Sequence, residues 1–413
     1  MMGRTIEIAA PGGGAFGAYL AVPESGRGPG LVLVQEIFGV NATMREHADL
    51  FAEEGYVVLV PDLFWRLDPG VELGYGEADV AKGRAYLERF DVDAAVKDIG
   101  ACLDHLRAMP EGTGKAGVVG FCLGGRLAYL AAARLSPDAA VAFYGGGIDA
   151  HLDEASAIKC PTHLHFGDKD ALIPPPAVEK VRAAIAGRPN LKAFVYANAG
   201  HGFYNHDRAS YHRPSALMAH SRTVALLRQA MGPDYDLESL WERHIDLEFA
   251  TRDPDATMTT MVASPYVNHI PVMTGGTGFE ELRRFYRHHF IPQMPKDTHM
   301  IPVSRTIGAD RVVDEMIFCF THDQEIDWML PGIKPTGRYV EVPLVAIVNF
   351  RGGKLYHEHI YWDQAAVLVQ IGLLDPKGLP VTGRETAEKV LDEKKPSNTL
   401  MARWAESASK AAE

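Results

Sequence analysis

The stretch Ala116-Gly117-Val118-Val119-Gly120-Phe121-Cys122-Leu123-Gly124-Gly125-Arg126 decides the architecture of the first half of the chain. An apolar run, AGVVGF at 116–121, ends at Phe121, and the helical pattern RLAYLAAARL at 126–135 follows a short glycine-rich turn. The order is strand, sharp turn, helix, with a cysteine at the apex. Glycines two residues before and two after Cys122 leave the space that a tight turn needs if its side chain is to stand clear of the sheet edge. Alone the pattern is only moderately specific, because a cysteine at such a turn serves equally well as a small packing residue. Its partners must come from elsewhere in the chain.

Outward from this turn, short β-branched runs alternate with helical patterns. LVLV at 31–34, VVLV at 57–60, AVAFY at 140–144, THLHFG at 162–167 and KAFVYA at 192–197 read as strands. Ala95, Ile99, Cys102, Leu103 and Leu106 recur at helical spacing within 93–109. The alternation predicts a doubly wound, mostly parallel α/β sheet covered by helices on both faces. A helix over 215–231 closes at Gly232-Pro233, which marks the end of a first domain at 1–232. Beyond it, helices at 236–251 and 278–290 precede long strands at 312–323, 339–350 and 354–363, an α+β order that defines a second domain at 236–383. Residues 384–413 are charged and alanine-rich and read as a terminal helix or frayed tail. Two domains also suit a length of 413 residues.

Composition narrows the function classes. Lys+Arg number 41 against 53 Asp+Glu, and the net charge of -12 repels nucleic acid and anionic lipid surfaces. MMGRTIEIAA at 1–10 lacks the apolar core of a signal peptide, and no apolar run is long enough to span a bilayer, so a cytoplasmic protein is expected. The 4 cysteines, Cys102, Cys122, Cys160 and Cys319, form no CxxC pair. They read as reduced thiols, and no metal and no cofactor is expected.

The partners of Cys122 lie downstream in the order nucleophile, acid, histidine that an α/β-hydrolase triad requires. Asp170 follows the strand THLHFG in GDKDALIPP, and His201 follows KAFVYA in NAGHGFYN. Either residue alone reads as a loop residue; together with Cys122, each at a strand end and in order, they read as a triad. The thiolate would attack an acyl carbon, His201 would carry protons, and Asp170 would orient the imidazole. Two backbone donors should hold the oxyanion: the amide after the nucleophile, Leu123, and Ile37 from the loop after the third strand. Phe38, Phe64, Trp65, Tyr144, Phe203 and Tyr204 are candidates for a pocket lining, although aromatics at such spacing more often build a core.

The loop Gln35-Glu36-Ile37-Phe38-Gly39, with GFCLGG and AGHGF, closely resembles the dienelactone hydrolase (carboxymethylenebutenolidase) family over residues 1 to about 230. The resemblance implies hydrolysis of lactones or small carboxylic esters. It favours Asp170 over Asp168 as the acid, because Asp170 precedes Ile173-Pro174 as in the family pattern. It also implies that Glu36 lies beside the thiol and takes its proton when substrate binds, since a neighbouring carboxylate disfavours the thiolate until it moves or is neutralised. The family's best-studied members hold a substrate carboxylate with two arginines, one of them four residues after the catalytic histidine. Here that position is Asn205; Arg208 and Arg84 lie near the matching regions without matching closely enough to take over the role.

The second domain resembles the SnoaL-like, NTF2-like fold, in which a helix packs into a curved sheet to form a conical cavity. The segments that carry this are WERHIDLEFATRD, PYVNHIPVMTGGTGFEELRRFY and HEHIYWDQAAVLVQIGLL. In a strand, His357, His359 and Tyr361 share one face and Glu358, Ile360 and Trp362 the other, so one set points into the cone. His357 and His359 are the chosen cavity candidates, joined by His269, Tyr266 and Asp327. Ligand binding or a homodimer built through this domain is the service the resemblance implies, with cavity proton-transfer chemistry, as in isomerases and cyclases, the alternative.

Overall fold

The computed structural model describes residues 3–408, and the chain divides into two compact units, 1–235 and 236–413. In the first, β1 (Arg4–Ala9), β2 (Ala15–Ala21), β3 (Gly28–Val34), β4 (Val57–Pro61), β5 (Gly112–Phe121), β6 (Ala140–Phe143), β7 (Thr162–Gly167) and β8 (Leu191–Tyr196) form one sheet in the order β1-β2-β4-β3-β5-β6-β7-β8. β1 pairs antiparallel with β2, and β2 with β4; all other pairings are parallel. Every residue of β3, β4, β6 and β7 is buried, as expected of central parallel strands covered on both faces. Helices Ala42–Glu53, Val92–Ala108, Leu123–Arg134 and Arg213–Met231 pack against the sheet. This is the α/β-hydrolase arrangement, with the carboxyl ends of β3, β5, β7 and β8 brought to one edge.

The second unit contains β9 (Met261–His269), β10 (Thr274–Thr277), β11 (His299–Ile307), β12 (Arg311–Thr321), β13 (Tyr339–Arg351) and β14 (Lys354–Trp362) in the order β10-β9-β14-β13-β12-β11. All pairs are antiparallel except β14 with β9. A helix at Leu237–Ile245 runs into a π-helical turn, Asp246–Ala250, and a second helix, Phe279–Phe285, does the same over Tyr286–Phe290. The inward sheet face and these helices enclose a cavity, as in an NTF2-like cone. The terminal segment expected as a helix or frayed tail docks in part: Ala387 of helix Glu385–Leu391 is buried against Ile317 and Cys319, and Arg384 donates twice to the Glu341 carboxylate at 2.7 Å. Residues 409–413 lie outside the described residues.

Candidate active site

Cys122 sits between β5 and helix Leu123–Arg134 with φ 54° and ψ -113°, a backbone conformation that L residues rarely adopt. Two glycines permit it by close approach. A Cβ on Gly120 would lie 1.9 Å from the Gly124 carbonyl oxygen, and one on Gly124 would lie 2.3 Å from that of Val34. The sharp turn is therefore built from missing side chains, and it leaves the Cys122 thiol partly exposed at the first turn of a helix.

His201, in the loop after β8, joins the other two residues. Its Nε2 lies 3.1 Å from Cys122 Sγ and its Nδ1 2.8 Å from Asp170 Oδ2. The second Asp170 oxygen accepts the N–H groups of Leu172 at 2.8 Å and Ile173 at 3.2 Å, so the carboxylate is pinned before the imidazole reaches it. Asp168, the competing acid, is exposed. Burial works against charge on His201, but the Cys122 thiolate and the Asp170 carboxylate outweigh it and hold the imidazole up at about 10. The Ser210 hydroxyl donates to the His201 carbonyl at 2.6 Å and fixes the loop.

Leu123 is the first residue of its helix, so its N–H has no intrahelical acceptor, and Ile37 lies in the turn that follows β3. Glu36, just before it, is 2% exposed and faces two donors: Asn205 Nδ2 at 3.0 Å and Arg208 Nη1 at 3.3 Å. The thiol's hydrogen-bond partner is His201; Glu36 is turned to Arg208. The position four residues after His201 is thus occupied by an amide that holds Glu36, and the cation comes from Arg208, which also lies 5.6 Å from the Phe38 ring centroid. Arg84 is exposed in a surface groove with Tyr75 and Glu88, and among the described residues it makes no hydrogen bond to the triad. Tyr144 meets the His201 ring edge-on at 5.1 Å and packs on Phe203 at 5.5 Å. The Tyr144 hydroxyl is buried without a partner among the described residues, so a donor is available close to the triad. Phe64 and Trp65 pack in the core instead, against Tyr86 and Phe16.

Three residues near this site carried no sequence signal. Tyr75 accepts from Asn205 Nδ2 at 2.8 Å and so braces the donor that holds Glu36. Asn205 read only as a departure from a family pattern. Arg126, one turn beyond Cys122, has a buried Nε without a partner; burial lowers its pKa, and the Cys122 charge partly restores it.

In the second unit the cavity is lined by the face of β14 opposite to the chosen one. Glu358 and Ile360 line it, whereas His357 and His359 stand on the other side against Tyr266, with ring centroids 6.4 and 5.6 Å away. Strand periodicity divides the residues into two faces but does not say which is covered; packing by the helices decides. Asp327 is likewise outside the cavity lining, bonded to exposed His289 at 3.1 Å. His269 does line the cavity, with its Nδ1 donating to the Thr274 carbonyl at 3.2 Å and burial lowering its pKa to about 4. His244, Glu248 and Tyr286 form, with Glu358, a buried cluster that sequence reading did not single out.

Comparison with known proteins agrees with this division. Residues 16–231 match the dienelactone hydrolase family and residues 241–358 match the SnoaL-like domain. A relative from Azospirillum brasilense is 38% identical over 233 residues, 55% of this chain and 99% of its own. A carboxymethylenebutenolidase of Pseudomonas putida is 35% identical over 229 residues, 55% of this chain and 97% of its own. A crystal structure from Klebsiella pneumoniae subsp. pneumoniae is 30% identical and covers 55% of this chain and 99% of that one, with a TM-score of 0.49. No helix among the described residues is long and apolar enough to cross a membrane. The chain belongs to the dienelactone hydrolase family, a hydrolase whose catalytic-type unit is followed by a SnoaL-like domain.

Proposed function

We propose that the first unit hydrolyses lactones or small carboxylic esters through an acyl-enzyme on Cys122. The observation that carries the reading is His201 standing between Cys122 Sγ at 3.1 Å and Asp170 Oδ2 at 2.8 Å. The thiolate attacks the acyl carbon, and the tetrahedral oxyanion takes hydrogen bonds from the Ile37 and Leu123 amides. His201 then gives its Nε2 proton to the leaving alkoxide, accepts one from water in the second half-reaction, and keeps its orientation through Asp170.

Glu36 and Arg208 give the site a substrate-dependent trigger. A substrate carboxylate that reaches Arg208 competes with Glu36 for the guanidinium, and a displaced Glu36 becomes a base for a protonated thiol. The anion site is then formed by Arg208, not by residue 205. Turnover of a panel of lactones and p-nitrophenyl esters by wild type and Cys122→Ala, with mass spectrometry of the intact protein, tests the reading. A mass increase equal to the acyl group on wild type and loss of turnover in the variant are expected. Equal activity in the two proteins excludes the cysteine mechanism.

A further inference from the structure

The cavity of the second unit has a mostly apolar wall, with Trp241, Phe249, Phe290 and Phe318 among its lining, and leaves about 40 Å³ for the centres of water molecules. Charge enters it in one place. We propose that His244, Glu248 and Glu358 bind one divalent first-row transition-metal cation, with a coordination position open to the cavity for water or an oxygen atom of a bound ligand.

The ligand atoms already converge. His244 Nε2 lies 3.1 Å from Glu248 Oε1 and 3.2 Å from Glu358 Oε1, and one ligand atom from each residue lies within 4.8 Å of the others. A cation bound at roughly 2.0–2.2 Å in tetrahedral geometry sets its ligands about 3.4 Å apart, so the two distances from His244 need to open by only a few tenths of an ångström. The imidazole is oriented from behind: its Nδ1 lies 2.6 Å from Thr260 Oγ1, whose hydroxyl donates to the Thr257 carbonyl at 2.6 Å. Thr260 is therefore an acceptor for Nδ1–H, and Nε2 is left as the ligand nitrogen. Metal-binding histidines are commonly held this way through the nitrogen that does not bind the ion.

Charge balance points in the same direction. Glu248 and Glu358 are each 3% exposed, and His244 is the ion-pair partner of both; neither pairs with a lysine or arginine among the described residues. The Tyr286 hydroxyl also reaches both carboxylates, Glu248 and, at 3.5 Å, Glu358 Oε1, but it has one proton to give. One imidazole N–H and one hydroxyl leave most of the lone pairs of two buried carboxylates unmatched, and buried charges of this kind are paired or coordinate metals. A dication with a neutral imidazole and two carboxylates brings the site to zero net charge. One nitrogen and two oxygens suit zinc, with manganese as the harder alternative, better than calcium or magnesium, which take oxygen ligands.

The site also has an outlet. Glu248, Glu358 and Tyr286 border the cavity and His244 does not, so the side of the cluster away from His244 is open. Trp328, on the same wall, has a buried Nε1–H without a partner among the described residues, a donor waiting for an acceptor in the cavity. The ligand class that fits is a compact, largely apolar molecule with one or two oxygen acceptors. By contrast Glu46, His206 and Asp207, whose ligand atoms also converge, are all exposed to solvent.

Untagged full-length protein, stripped with a chelator, would be titrated calorimetrically with zinc and with manganese. Cys122→Ala would be run beside it, so that the thiol of the first unit is not counted. One equivalent bound at micromolar Kd or tighter in both proteins is expected, with at least 100-fold weakening in Glu248→Gln and Glu358→Gln. Visible absorption of cobalt added to the Cys122→Ala protein reads the donor set without any change in the cluster: d–d bands saturating at one equivalent are expected. No saturable metal in Cys122→Ala, or unchanged affinity in folded glutamine variants, overturns the proposal and leaves an imidazolium shared between two carboxylates. If the glutamine variants do not fold, the cobalt titration alone decides.

Discussion

Asp170→Asn separates charge from packing at the triad. The Asp170 side chain is fully buried and that of His201 is 10% exposed, so solvent screens their attraction little. With charge centres about 4 Å apart and an effective dielectric of about 20, the pair is worth roughly 4 kcal/mol. At about 1.4 kcal/mol per tenfold, that is a loss of about 10³ in rate when the carboxylate is neutralised. Asparagine keeps Oδ1 for the Leu172 and Ile173 amides, at 2.8 and 3.2 Å, so the loop is retained. It places an NH₂ group against Nδ1, however, and the ring responds by moving its proton to Nε2, where it no longer accepts one from the thiol. Both effects act in one direction, and kcat/KM for a p-nitrophenyl ester should fall by at least about 10³-fold with circular dichroism unchanged. Asp168→Asn, at an exposed position, should stay within a few-fold of wild type. A tenfold or smaller loss in Asp170→Asn, or an equal loss in Asp168→Asn, refutes the assignment of the acid.

Arg208→Ala should raise KM for lactones that carry a carboxylate by about 10- to 100-fold, the worth of one charge-assisted bond, while neutral esters change less than threefold; equal effects on the two classes would remove Arg208 from the substrate site. Gly124→Ala should lose at least about 2 kcal/mol in urea unfolding and nearly all activity, because its Cβ would press to 2.3 Å from the Val34 carbonyl oxygen. His201 is held up at about 10, above roughly 6.5 in the unfolded chain, so its pairing stabilises the fold fully below pH ~6.5 and fades as pH rises to ~10. The difference in Tm between wild type and His201→Asn should therefore narrow from pH 6 to pH 10.5; a constant difference would show that the imidazolium contributes nothing. Cys122→Ser should retain under about 1% of wild-type turnover, since the hydroxyl is several pKa units less acidic than the thiol.

Much of the first unit is legible because its central strands are apolar along their whole length and its chemistry sits at strand ends. LVLV, VVLV and THLHFG announce themselves without any knowledge of their neighbours. β1 and β2 do not, since RTIEIA is mostly exposed and carries charge, and AFGAYLA is diluted by alanine and glycine. The order Cys122, Asp170, His201 is likewise readable along the chain. What surrounds the triad is not: Asn205 and Arg208 meet Glu36, and Tyr75 meets Asn205, only because loops far apart in sequence converge at one edge of the sheet. A family pattern reports Asn205 as a missing arginine, whereas packing makes it the amide that holds the acid.

The second unit shows a different limit. Alternation in KLYHEHIYW separates His357, His359 and Tyr361 from Glu358, Ile360 and Trp362, and nothing in a period of two says which set is inside. Two histidines flanking one glutamate make the histidine face look like the chemical one. The covered face is the other because Trp241 and Glu248, one on and one just beyond helix Leu237–Ile245, border the same cavity as Glu358 and Ile360. His244 and Glu248 are four residues apart on this helix and its π-helical extension, and both are buried. A buried glutamate requires a partner that only the opposite element supplies. The informative question for β14 was therefore which residue on the helix could tolerate a carboxylate in an apolar wall, and WERHIDLEF holds the answer in the spacing of His244 and Glu248. Reading strand faces by the partner that each charged residue would need, and not by the number of titratable side chains, selects the face that the structure covers.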